Sequence, residues 1–328
     1  MKDVKDCIDK AEKIVIVQAD NPDADSLSSA IALEQILFKL GKDPVLYCGV
    51  DIPGYLKYIK GWDRASKELP KKFDLTIIVD NSSLLLLETL EKTNQLGWIK
   101  AKPVVVIDHH STETNMDFIK ASFIEQAVST TELIYKLAKS SKWNIDKEVA
   151  ELITIGILSD SLGLTTEQVS QQSVQIIAEM VGKGVLLNEI DAKRRELSKK
   201  TPELIEYKSK LLGRIKYALD GRVAHVSIPW EEIEKYSQEY NPPMLVMDEM
   251  RQIKDVQLAA AFKSYPNGRI TAKLRSNAGF PICSKLAEDF GGGGHQYASG
   301  FRVTDGRSLS ELQAETFEVA SELLNQLK

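Results

Sequence analysis

Through the first half of the chain, short runs of apolar, mostly β-branched residues alternate with longer stretches of helical periodicity. The runs fall at 14–17 (IVIV), 45–47 (VLY), 75–79 (LTIIV) and 104–107 (VVVI), with amphipathic segments such as 27–40 between them. Nearly continuous apolar strands separated by helices predict a parallel sheet covered on both faces, an α/β architecture. Gly41 stands where a C′ glycine ends the helix over 27–40, and Thr130 or Thr131 is placed to cap a helix running to about residue 140. From 187 to 219 the chain is strongly charged yet keeps Leu197, Leu204, Leu211, Leu212 and Ile215 at helical spacing, which predicts helices joining two domains. Beyond lie a strand at 222–228, a helix entered through Pro229, and two strands at 256–262 and 269–274. Between those two strands stands Tyr265-Pro266-Asn267-Gly268, whose turn chemistry predicts a hairpin. A helix near 282–289, a glycine run, a strand near 299–303 and a terminal helix from Leu309 complete the pattern. The expected organisation is a parallel-sheet α/β domain over 1–186, a helical linker over 187–219, and a smaller mixed-sheet α/β domain over 220–328.

Composition agrees with two domains, since 328 residues exceed what one hydrophobic core usually organises. With 43% hydrophobic and 27% charged residues the chain reads as globular. No apolar stretch approaches the roughly 20 residues that cross a bilayer. The opening MKDVKDCIDKAEK mixes acids with lysines and resembles neither a signal nor a transit peptide, so a cytoplasmic protein is expected. Cys7, Cys48 and Cys283 are far apart and form no CxxC spacing, which points away from disulfides and thiolate zinc. A formal net charge of −5 argues against wrapping long duplex DNA, leaving room for a small anion in a local pocket.

The apolar runs repeatedly stop at aspartate, in IVIVQADNPDAD, LTIIVDNSS, VVVIDHH and ITIGILSD. Ligands of open parallel sheets bind beyond the carboxyl ends of the strands, where Asp23, Asp25, Asp80, Asp108 and Asp160 would converge. A single aspartate after a strand is most often a turn former or helix cap. Several close together raise one another's pKa and are stabilised by cations or protons. With histidine among them, the donor set suits manganese, magnesium or a similar divalent ion, and a pair of such ions is a standard clamp for phosphoryl displacement.

Four segments, Asn21-Pro22-Asp23-Ala24-Asp25, Val79-Asp80-Asn81-Ser82, Asp108-His109-His110 and Gly156-Ile157-Leu158-Ser159-Asp160-Ser161, are similar in order and spacing to the motifs of the DHH phosphoesterases. Leu274-Arg275-Ser276, then Gly291-Gly292-Gly293-Gly294-His295 and Ala298-Ser299-Gly300, resemble the substrate domain associated with that family. The resemblance spans nearly the whole chain. It implies that Asp80 bridges two divalent ions, manganese first and magnesium as the alternative. Asp23 would hold one ion, and Asp25, His109 and Asp160 the other, with Asp108 supporting the site and His110 facing the reacting phosphate. Attack on phosphorus would then be in line. Arg275, Ser276, Gly292, Gly293, Gly294 and His295 would hold the terminal phosphate or ribose of a short nucleic acid, between the domains. The glycine run has a reading of its own, a concave nest of backbone N–H groups that binds anions, set against that of a flexible linker.

One ligand departs from the family pattern: members usually carry histidine two residues before the Asn-Pro-Asp element, and this chain has Ala19 there. Asp20 or water would supply the missing donor. The fourth motif also reads Asp160-Ser161-Leu162-Gly163 where the family usually has Asp-Thr-Gly. The resemblance implies an exonuclease taking short single-stranded RNA to mononucleotides, with adenosine 3′,5′-bisphosphate as a second substrate. Linear or cyclic dinucleotides form an alternative enzyme reading. A weak or inactive nucleotide binder, motivated by Ala19, forms an alternative of another class. A third reading, chance motifs in an unrelated α/β protein, requires Asp23, Asp80 and His109 to lie far apart. Dimerisation is left open.

Overall fold

The computed structural model describes residues 1–110, 114–237 and 239–327. The chain divides into two compact units, Met1–Lys199 and Lys200–Lys328. The division falls inside the charged helical stretch, whose two main helices go to different units.

The first unit runs α1 (Lys2–Lys10), β1 (Lys13–Val17), α2 (Ala24–Lys39), β2 (Asp43–Tyr47), β3 (Leu75–Val79), α3 (Glu88–Lys92), α4 (Leu96–Lys100), β4 (Val104–Asp108) and β5 (Ala121–Ile124). It then continues through α5 (Thr130–Ser141), α6 (Lys147–Asp160), α7 (Gln171–Gly182) and α8 (Leu187–Leu197). Its five strands lie in the order β2-β1-β3-β4-β5, all parallel. As the uninterrupted apolar runs require, the sheet is buried on both faces. Ile14, Ile16, Ile77, Val79, Val105 and Ile107 pack with residues of α2, α5 and α6, whereas Val15, Val17, Ile78, Val104 and Val106 pack with Leu87, Leu90 and Ile99 on the other side. Helix α2 ends as the sequence predicts: Gly41 has φ +78°, its N–H donates to the carbonyl of Phe38, and the N–H of Lys42 donates to that of Leu37. Ser129, rather than Thr130 or Thr131, caps α5, accepting from the N–H of Glu132. The two threonines are thereby freed for another task. Helix α1, buried through Val4 and Ile8, and the short strand β5 were not expected.

The second unit runs α9 (Pro202–Leu212), β6 (Lys216–Ala218), β7 (Val223–Ile228), α10 (Trp230–Tyr236), α11 (Met247–Arg251), β8 (Leu258–Ser264) and β9 (Ile270–Ser276). After these come α12 (Cys283–Glu288), β10 (Gly293–His295), β11 (Ala298–Val303) and α13 (Leu309–Gln326). The sheet is mixed, ordered β10-β11-β9-β8-β7-β6, with one parallel pair, β7 with β8. One face packs Leu258, Phe262, Leu274 and Phe301 against α12 and α13. On the other face, Ala224, Val226, Ala259 and Ala261 pack against residues of α9, α10 and α11.

The glycine run has a different form from a concave nest. Gly291 (φ +70°) donates to the carbonyl of Glu288 and Gly292 to that of Ala287, the paired bonds of a Schellman cap closing α12. Gly293 and Gly294 then enter the edge strand β10. Close packing explains two of these glycines: a Cβ on Gly292 would lie 2.3 Å from the carbonyl oxygen of Gly300, and one on Gly294 would lie 2.7 Å from that of Ala298.

Among the described residues no helix is long and apolar enough to cross a membrane. Cys7, Cys48 and Cys283 are all free.

Candidate active site

In the order β2-β1-β3-β4-β5 the connection leaving β1 runs to β2 on one side and that leaving β3 runs to β4 on the other, making a crevice at the carboxyl ends of β1 and β3. Asp23 and Asp25 follow β1, Asp80 follows β3, and Asp108, His109 and His110 end β4 or follow it. Asp160 joins them as the last residue of α6.

Asp25 is fully buried, and both its oxygens are occupied. Oδ2 accepts the N–H of Thr130 at 2.6 Å, and Oδ1 accepts the N–H and hydroxyl of Thr131 at 3.1 and 2.9 Å. The first turn of α5 therefore grips this carboxylate with donors that favour negative charge. The Thr130 hydroxyl also donates to Asp80 Oδ1 at 2.9 Å, linking the two acids through one side chain. Asp80 has φ +56°, a left-handed conformation that Asp tolerates better than most residues, and its N–H donates to the carbonyl of Ile107 at 2.9 Å. Gly156 of α6 completes the enclosure: a Cβ there would lie 2.4 Å from Asp25 Oδ1 and 2.3 Å from Thr131 Oγ1.

The histidines are oriented by their second nitrogens. His109 Nδ1 lies 3.1 Å from the carbonyl of Ala127, which can only accept. In the neutral ring the proton therefore sits on Nδ1 and the lone pair on Nε2. That Nε2 lies 3.4 Å from Asp80 Oδ1 and 3.4 Å from Asp160 Oδ2. His110 Nδ1 lies 2.6 Å from Asp108 Oδ1 and 3.7 Å from Asp80 Oδ1.

Burial, and then the charges of Asp25 and Asp23, hold the Asp80 and Asp160 carboxyls well above their ordinary range. Asp25 is raised by burial as well, against the opposing pull of His109. Burial would also raise Asp108, but the hydrogen bond and charge of His110 outweigh it and hold this carboxyl low. Burial alone would lower both histidines. The Asp25 and Asp160 charges instead raise His109, and the hydrogen bond from His110 to Asp108 raises His110.

The structure thus brings together Asp25, Asp80, Asp108, His109, His110 and Asp160, with Asp23 close enough to act on three of the carboxylates. Two groups offer ligand atoms all within 4.8 Å of one another: Asp80 with His109 and His110, and Asp25 with His109 and Asp160. Mutually repelling buried carboxylates with one or two imidazoles fit a hard divalent cation. Because one Nε2 lone pair serves one ion, the two groups are alternatives at His109. Asp23 caps α2, accepting from the N–H of Ser26 at 2.9 Å. Asp20 is turned elsewhere: its Oδ2 accepts the N–H of Thr89 at 2.7 Å, and it belongs to neither group. Ala19 is buried. Thr130, Thr131 and Ala127 are not singled out from sequence as parts of the site, and Gly156 enters only as the first residue of the fourth motif. Their signals, a Thr-Thr doublet at a helix start and a glycine inside a helix, have common structural explanations.

In the second unit, antiparallel pairing sets Arg275 opposite Ala298 and Ala298 opposite His295, so Arg275 and His295 share one sheet face in one row. Gly293 lies on the same face, one row away. Ser276 points to the opposite face, where its buried hydroxyl accepts from Cys283 Sγ at 3.3 Å. Gly294 lies opposite Ser299, also away from Arg275.

Residues 13–157 match the model of the DHH family N-terminal domain, and residues 237–326 match that of the DHHA1 domain. A Mycoplasma genitalium protein named bifunctional oligoribonuclease and PAP phosphatase is 25% identical over 313 residues, covering 94% of each chain. The manganese-dependent inorganic pyrophosphatase of Bacillus subtilis is 31% identical over 203 residues, covering 58% of this chain and 63% of its own. The crystal structure of an exopolyphosphatase-related protein from Bacteroides fragilis superposes with a TM-score of 0.81 at 24% identity, covering 99% of this chain and 96% of its own.

Proposed function

We propose that this chain, a member of the DHH family of phosphoesterases, releases mononucleotides from short RNA oligonucleotides. Removal of a phosphate from adenosine 3′,5′-bisphosphate would be a second reaction of the same site. The observation that carries the metal-dependent chemistry is the convergence of Asp25, Asp80, His109 and Asp160 at the ends of the parallel strands, with both Asp80 and Asp160 in need of a cation or proton. Likeness over 94% of the chain to a protein named oligoribonuclease and PAP phosphatase supports the substrate class.

In this reading Asp25, His109 and Asp160 would hold one divalent ion, and Asp80 and Asp23 would hold a second. Divalent ions at such a site lower the pKa of water and neutralise charge developing on phosphoryl oxygens. The chain's own residues do the rest. Thr130 and Thr131 fix the Asp25 carboxylate, and Thr130 fixes Asp80 relative to it. Asp108 holds His110 through Nδ1, leaving Nε2 to carry a proton toward the leaving oxygen. Arg275 and His295, in one row across the sheet, bind the phosphate end of the substrate. End recognition accounts for a preference for short chains.

Chromatography of products after incubation with short RNA, the matching DNA, a linear guanylate dinucleotide and adenosine 3′,5′-bisphosphate tests this reading. Mononucleotide release from RNA ahead of DNA is expected, and a preference for the dinucleotide alone would move the assignment to a dinucleotide phosphodiesterase. A second reading, a nucleotide binder without turnover, draws on Ala19, which stands where the family usually has a histidine ligand. It predicts measurable oligonucleotide affinity with no product under any divalent metal.

A further inference from the structure

Strand pairing in the second unit sets out a small grid on the face that carries Arg275. One row runs Ala259, Arg275, Ala298 and His295 across β8, β9, β11 and β10, and the next runs Ala261, Lys273, Gly300 and Gly293. The rows are two residues apart, so Lys273 and Arg275 emerge about 7 Å from each other on the same side of one strand. Their neighbours on β11 and β10 are small except for His295, and a Cβ built on Gly293 would meet nothing within 4 Å.

Lys273 is half-buried, and among the described residues its ammonium has no hydrogen-bond or ion-pair partner. The charges that act on it are those of Arg275 and Lys263, and burial together with these two cations pushes its ammonium down to about 8. Arg275 is placed similarly. Its Nη1 donates to the carbonyl of Leu274 at 2.9 Å, and Arg251 adds a further positive charge. Two acidic groups act on Arg275: the Cys283 thiol, which burial holds above its ordinary pKa, and then Asp248, which lies 3.7 Å from Arg251 Nη1 and is largely exposed. Stability alone would disfavour this arrangement, because a partly desolvated ammonium without a counter-charge opposes folding, and a β-branched residue would suit the strand better. Two cations on one face beside small residues supply what a doubly charged anion requires.

We propose that Lys273 joins Arg275 in binding a terminal phosphate as its dianion, so that the second unit selects phosphomonoester ends over phosphodiesters. The inference rests on the nucleotide reading above for its substrate, and names the residue that sets its preference.

The test is equilibrium binding to the full chain of three probes: adenosine 5′-monophosphate, its phosphate methyl ester, and inorganic phosphate. Wild type, Lys273→Met and Lys273→Arg are compared by calorimetry. Lys273→Met should weaken the monophosphate by about tenfold, the scale of one charge-assisted hydrogen bond, and the methyl ester by less than about twofold. Lys273→Arg should restore most of the difference. The thermal midpoint of Lys273→Met should equal or exceed that of wild type, since an unpaired cation has been removed. Equal loss on the two nucleotides, or no loss of the monophosphate or of inorganic phosphate, overturns the assignment of Lys273 while leaving the nucleotide reading in place. Wild type that ignores both nucleotides but binds inorganic phosphate through Lys273 keeps the anion site and removes the nucleotide reading.

Discussion

At the residue scale, the acids that the sequence singled out at the strand ends do converge, but what holds them was invisible there. The spacing of NPDAD, VDNSS, VIDHH and GILSD places their aspartates at one end of a parallel sheet. It says nothing of the hydrogen bonds that Thr130 and Thr131 give Asp25 across more than 100 positions in sequence. Gly156 shows the same limit, because a helix-interior glycine reveals its reason only when Asp25 is seen packed against it. Gly156→Ala should therefore displace Asp25 and Thr131 and weaken manganese binding about tenfold or more, as loss of a ligand's supporting contacts commonly does. Titration of manganese into the folded variant checks this; wild-type affinity would show that the Asp25 carboxylate is not a ligand. Asp20 illustrates a contact that adjacency in sequence does not show, since a distant amide, the Thr89 N–H, donates to its Oδ2.

At the element scale, strands β1, β3 and β4 and helices α2, α12 and α13 were legible to within a few residues because their apolar periodicity and end signals agree. Strand β5 and edge strand β10 were not. Each is short, and neither presents a buried apolar run: β5 alternates exposed and buried positions, and β10 consists of Gly293, Gly294 and His295. The start of α5 separates two roles that the sequence merged into one. Ser129 supplies the cap and its hydroxyl lies 2.8 Å from that of Thr131, so Ser129→Ala should destabilise the fold by about 1 kcal/mol and lower metal affinity less than direct loss of the Thr131 hydroxyl does. Thr131→Val keeps the cap and the shape but removes a donor to Asp25, so it should lower metal affinity by about tenfold with a smaller change in thermal midpoint. Denaturation and metal titration on the two variants check the contrast, and identical behaviour in both would mean that α5 acts on the site only by being folded.

At the scale of the whole molecule, the chain forms two units with separate cores, and the division between Lys199 and Lys200 falls inside the segment read from sequence as a helical linker. Stability should carry a pH signature from His225 of the second unit. Its ring is buried 4.8 Å from that of Phe317, and burial, followed by the charge of Lys216, lowers its pKa below 6.5. The unfolded chain then binds this proton more readily than the folded one. The histidine's contribution is present above the unfolded value and is lost as pH falls through the folded one. His225→Phe should thus lose less thermal stability than wild type between about pH 7.5 and about pH 5.5. Equal losses measured by calorimetry would remove His225 from the acid response.

The acidic cluster at the strand ends is proposed to hydrolyse phosphoesters with divalent metal. Manganese content and mononucleotide release from short RNA, measured on one preparation of wild type and of Asp80→Ala before and after chelation, test this proposal most directly. Release in wild type should stop with chelator, return saturably with manganese, and be absent from folded Asp80→Ala at every metal concentration. Undiminished release in chelator, or wild-type rates in Asp80→Ala, would contradict the proposal.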